Sequence, residues 1–104
     1  MAGPETIEFL YYADCPSHEE ALALLRSVLD ERGIERPIAV QEVRSDEEAL
    51  RLGFPGSPTI RIDGRDVDPA GGGAAPSLTC RVYRLADGRA SPVPAREQIE
   101  EALA

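Results

Sequence analysis

Hydrophobic positions change their spacing several times along this chain, and each change marks an element. From Thr6 to Tyr12 they are nearly continuous and rich in β-branched and aromatic residues, which predicts a central strand covered on both faces. From Pro16 to Arg32 the spacing becomes three and four residues. Ala21, Leu22, Leu25, Val28 and Leu29 repeat at that interval, while Glu19, Glu20, Arg26, Asp30 and Glu31 fall mainly elsewhere. This predicts an amphipathic helix, with Pro16 in its first turn and Gly33 just past its last.

Pro37 to Val43 reads as a second strand with Ile38 and Val40 on one face. Ser45-Asp46-Glu47-Glu48 is a capping box: the serine hydroxyl accepts from the backbone N–H three residues on, and Glu48 reaches back. The helix it opens runs to about Leu52, where Gly53 and Pro55 stop it. Thr59 to Asp63 predicts a third strand, and Asp63-Gly64 a tight turn, so Arg65 to Asp68 returns antiparallel as a fourth. Pro69 to Ser77, with Gly71-Gly72-Gly73 inside it, reads as a flexible loop without regular structure. Leu78 to Leu85 is extended again, with Leu78, Cys80, Val82 and Leu85 expected inward. Ala86 to Val93 is a turn-rich connection, and Pro94 opens a last helix carrying Ile99, Ala102 and Leu103.

The expected fold class is therefore α/β, in the order β-α-β-α-β-β-α, with an inserted loop and strand before the last helix. The strand–helix–strand opening implies parallel pairing through a right-handed crossover, and the hairpin adds antiparallel strands, giving a mixed sheet. A length of 104 residues suits one domain, 1–104. The formal charge of −8 argues against nucleic acid and anionic membranes, since both need a basic face. No apolar run approaches the length of a bilayer span. Met1-Ala2-Gly3-Pro4-Glu5 has no basic stretch leading into an apolar one, so a cytoplasmic protein is expected. In that compartment two cysteines are free, catalytic or metal-bound rather than a permanent staple.

Two short motifs about forty residues apart carry the chemistry. Asp14-Cys15-Pro16-Ser17-His18 places a cysteine where the first strand gives way to the first helix. A helix N-terminus favours the thiolate, and His18 one turn on can acidify the thiol further or carry its proton. Asp14, Glu19 and Glu20 act the other way. Cys15 is thus a candidate nucleophile; the plain alternative is a small residue at a turn, and for His18 a surface histidine. Gly56-Ser57-Pro58-Thr59 places a proline directly before the third strand, either as a cis proline or as an ordinary turn proline.

From about Glu5 to Leu103 the chain resembles the thioredoxin-like superfamily, as a divergent member with Cys-Pro-Ser-His in place of Cys-x-x-Cys. The resemblance implies a mixed sheet flanked by helices, with Cys15 facing a cis Pro58. It also implies that Ser57, Pro58 and Thr59, together with Tyr12, bind an extended thiol substrate. In this arrangement the fourth strand returns to the end of the sheet where Pro58 and Cys15 lie. Cys80, beyond the 69–77 loop, is then free to approach Cys15; alternatively it is a buried core cysteine.

Three functions follow. The leading one is thiol–disulfide exchange of a monothiol, glutaredoxin-like kind, with Cys15 as nucleophile, His18 assisting, and Cys80 or an external thiol resolving the mixed disulfide. Its partners are protein or small-molecule thiols and disulfides, with no cofactor, no nucleic acid, no membrane and a monomeric protein expected. The second is soft-metal binding (zinc, copper or mercury) through Cys15, His18 and Cys80. The third is a non-catalytic module holding a peptide on the proline loop and a surface of Tyr11, Tyr12 and Phe54. In the redox reading Cys15 should alkylate faster than Cys80, which lies in an apolar strand pattern.

Overall fold

The computed structural model describes residues 6–103; the Met1–Glu5 stretch read above lies outside them. Four strands form one sheet in the order β2-β1-β3-β4: β1 Ile7–Tyr11, β2 Ile38–Glu42, β3 Thr59–Ile62 and β4 Arg65–Asp66. β1 is central. It pairs parallel with β2, Phe9 opposite Val40, and antiparallel with β3, Phe9 opposite Ile60. The continuous apolarity of this segment follows from that position, because alternate side chains enter different cores. Ile7 and Phe9 join Ile60 and Ile62 beneath helix α1 (His18–Glu31) and helix α4 (Arg96–Leu103), where Ala21, Leu25, Val28, Leu29 and Ile99 are buried. Leu10 points to the opposite face, toward Val43, Ala49 and Phe54 around helix α2 (Asp46–Leu52). The result is an α/β fold with a mixed sheet, in the expected order.

Local signals account for most boundaries. Ser45 Oγ accepts from the Glu48 backbone N–H at 3.1 Å, and Glu48 Oε1 accepts from the N–H of Arg44, one residue before the cap. Gly53 ends α2 in the left-handed conformation. Asp63 and Gly64 both take positive φ, the requirement of a two-residue hairpin, and β4 turns back onto β3. Helix α1 starts two residues later than the sequence suggests: Ser17 is its N-cap, and Pro16 lies outside the first turn. At the sheet edge Val40 is exposed, while Ile38 packs against the larger core.

Three expectations are corrected after β4. Pro69–Gly72 forms a short helical turn, α3, with proline at its start. Gly71 owes its place to close packing: a Cβ there would lie 2.6 Å from Arg81 Nη2. Next, the turn-rich connection 86–93 contains part of a small hairpin, β5 Tyr83–Arg84 with β6 Ala90–Ser91, separate from the main sheet. Finally, the segment 78–85 has the opposite phase to the one its apolar pattern predicts. Arg81 and Tyr83 are buried, whereas Cys80 is exposed and Val82 is 60% exposed. With a period of two, a single step exchanges the faces. The step is fixed here by a buried partner for Arg81, described next. No helix among the described residues is long and apolar enough to cross a membrane.

Candidate functional site

Cys15 and Cys80 are joined in a disulfide, with Cα atoms 5.7 Å apart. Cys80 is therefore not a core cysteine, and the two thiols separated by 65 positions in sequence meet at the end of the sheet. Cys15 follows β1 and precedes α1; its backbone N–H donates to the Tyr12 carbonyl, closing a turn. The Ser17 hydroxyl lies 3.3 Å from Cys15 Sγ and makes no capping bond to the helix it precedes. Beneath the sulfur, at 3.6 Å, is the carbonyl oxygen of Ser57.

The Ser57–Pro58 peptide is cis. Ser57 is held from both sides by the chain's own later segment: its N–H donates to the Thr79 carbonyl at 2.7 Å, and its carbonyl accepts from the Arg81 N–H at 2.9 Å. These bonds make a one-residue parallel bridge between Ser57 and Cys80. The Ser57 hydroxyl accepts from the Tyr12 N–H at 2.9 Å, joining the proline loop to the end of β1. The Tyr83 hydroxyl donates to the Pro58 carbonyl at 2.6 Å.

The remaining expected site residues divide clearly. Ser57, Pro58 and Thr59 are all buried, and Thr59 Oγ1 donates to the Gly56 carbonyl at 2.6 Å. Their backbone reaches the cysteine pair, but the face of Ser57 expected to receive a substrate is already paired internally. Tyr12 is half-buried; its hydroxyl donates to Asp14 Oδ2, and this bond together with the Asp14 charge raises the phenol's pKa. The His18 ring stacks on Tyr11, centroids 4.6 Å apart, and among the described residues no hydrogen bond joins it to Cys15. Phe54 is fully buried and forms no part of a peptide-binding surface. Among the described residues no group of three or more histidine, cysteine or carboxylate side chains is arranged to hold a metal ion.

Sequence reasoning missed Arg81. Its guanidinium makes a bidentate ion pair with Asp66 of β4, Nη1 to Oδ2 at 2.8 Å and Nη2 to Oδ1 at 3.2 Å. Nη1 also donates to Thr59 Oγ1 at 3.2 Å, and the guanidinium lies 4.2 Å from the centre of the Tyr83 ring. The two side chains of the pair are 4% and 9% exposed. Gly56, at φ +135°, allows the backbone of Arg81 to approach: a Cβ there would lie 2.8 Å from Arg81 Cβ. The available signal was one of two arginines, Arg81 and Arg84, in a largely apolar strand pattern, beside a cysteine and with several acidic candidates upstream. Nothing in that signal singles out Asp66.

Comparison of the chain with protein-family models, curated proteins and solved structures finds no match.

Proposed function

We propose that the chain is a thioredoxin-like thiol–disulfide exchange protein whose redox couple is Cys15 and Cys80. The observation that carries this reading is the bond between these two residues, set against the cis Ser57–Pro58 peptide at the end of the central strand. A thiolate attacks one sulfur of the pair and the other leaves with the bonding electrons. A second thiolate then attacks the resulting mixed disulfide, leaving the protein as a dithiol and the partner oxidised. Run in reverse, the same steps reduce a partner's disulfide. The partners are low-molecular-weight thiols or the cysteines of other proteins.

A cycling disulfide of this kind is compatible with a reducing compartment, where a permanent one is not. Cys80 supplies the second sulfur that Cys15-Pro16-Ser17-His18 lacks locally, so the protein acts as a dithiol rather than a monothiol catalyst. The test is turnover: reduction of a glutathionylated peptide with reduced glutathione as the electron source. Wild-type protein is expected to accelerate the reaction and the double variant Cys15→Ser with Cys80→Ser to lose the acceleration. Equal rates for the two proteins, or none above the uncatalysed reaction, would remove the reading.

A further inference from the structure

The disulfide is buried on one side only. Cys15 retains 1% of its accessible surface, lying above Ser57 and bonded to Cys80 of the 78–81 segment, whereas Cys80 is exposed. Exchange requires a thiolate to reach the sulfur it attacks, so access decides which of the two sulfurs reacts. We propose that Cys80, not Cys15, is the sulfur that exchanges with outside thiols, and that Cys15 is the internal thiol that opens and closes the ring. This rests on the redox reading and reverses the order of roles that the motif at Cys15 suggests.

In the reducing direction, an external thiolate forms a bond to Cys80 Sγ as the Cys15–Cys80 bond breaks, and the electron pair leaves on Cys15 Sγ. A second external thiolate then attacks the external sulfur of the adduct, releasing a small disulfide and the Cys80 thiolate. In the oxidising direction, the Cys80 thiolate attacks an external disulfide and expels one thiolate. The Cys15 thiolate then attacks Cys80 Sγ and expels the second. External thiols or disulfides are the only co-reactants.

The surroundings of each sulfur fit its role. The leaving sulfur, Cys15, has the Ser17 hydroxyl at 3.3 Å, a donor suited to a developing thiolate. The residues flanking Cys80 are held independently of the disulfide: Thr79 and Arg81 both pair with the Ser57 backbone, and Arg81 is anchored by Asp66. When the ring opens, Cys80 can therefore accept a partner while its chain stays in register above Cys15. That arrangement makes closure an intramolecular step of high effective concentration.

The test locates the first adduct. Oxidised wild-type protein is pulsed with reduced glutathione, quenched in acid, alkylated and digested with trypsin, which places Cys15 in residues 1–26 and Cys80 in residues 66–81. The expected result is glutathione on the 66–81 peptide in at least about tenfold excess over the 1–26 peptide, following the difference in access. Reduced Cys15→Ser protein should likewise react with oxidised glutathione faster than reduced Cys80→Ser protein. Adduct mainly on Cys15, or equal labelling of the two, overturns the assignment while leaving the redox couple standing. If oxidised glutathione never closes the Cys15–Cys80 bond in wild-type protein, the redox reading falls and the assignment falls with it.

Discussion

Arg81, the residue after Cys80, reaches inward to form a bidentate ion pair with Asp66 on β4. The exposed end of the disulfide is thus attached to one of the most thoroughly buried charges in the molecule. The pair turns the 78–84 segment over, sending Arg81 and Tyr83 inward and Cys80 outward toward Cys15 and solvent. It converts a stretch that would otherwise be a loose connection into the roof of the site.

Arg81→Met leaves the Asp66 carboxylate buried without its counter-charge, and Asp66→Asn does the same to the guanidinium. Either should cost about 3–5 kcal/mol of stability, measured by urea denaturation. The variants should also shift the glutathione equilibrium toward the dithiol, because the register that holds Cys80 above Cys15 is weakened. Arg89→Met, which breaks only an exposed pair with Asp87, should leave both quantities within error of wild type.

Gly71→Ala and Gly73→Ala should behave differently although both lie in the same glycine run. A methyl group at Gly71 would lie 2.6 Å from Arg81 Nη2 and 3.2 Å from Asp68 Oδ2, whereas at Gly73 the nearest neighbouring atom is 3.9 Å away. The first substitution should destabilise by about 1–3 kcal/mol through overpacking. The second should be neutral, or slightly stabilising through the unfolded state. Paired thermal melts are sufficient to read the contrast.

Tyr83 gives a prediction in pH. Burial raises its pKa well above the ordinary phenol value, outweighing the lowering effect of the Arg81 guanidinium. The unfolded chain therefore releases this proton first as pH rises. The stability tied to the neutral phenol is complete below about pH 10 and declines above it, by at most about 1.4 kcal/mol per pH unit, until the raised native value is reached. Tyr83→Phe should remove this part of the alkaline slope. At neutral pH it should also cost about 1–3 kcal/mol, since the Pro58 carbonyl loses its buried donor.

The elements legible in the sequence are those fixed by neighbours in the chain. The period change at Pro16, the cap at Ser45, the stop at Gly53 and the Asp63-Gly64 turn each act over four residues or fewer, and each is found near its expected place. The cis form of Pro58 is implied by the resemblance rather than by the local sequence, which also fits an ordinary turn proline. The segment 78–91 was not legible, because its phase is set by Asp66, fifteen positions before Arg81, and a buried ion pair reads in sequence as an exposed arginine. For the same reason the glycines at 69–77 suggested looseness where Gly71 serves a close approach. In the sequence, the approach of Cys80 to Cys15 rests on a flexible loop; the segment is instead pinned by backbone pairing with Ser57.

A redox titration of the whole protein tests whether Cys15 and Cys80 form a reversible couple. Samples are equilibrated across a series of reduced-to-oxidised glutathione ratios, trapped with an alkylating agent, and the Cys15–Cys80 bridge is counted by mass spectrometry. One reversible two-electron transition between dithiol and intramolecular disulfide is expected, independent of protein concentration and free of covalent dimer. Only glutathione adducts or intermolecular dimers at every ratio, with no bridge between Cys15 and Cys80, would contradict it.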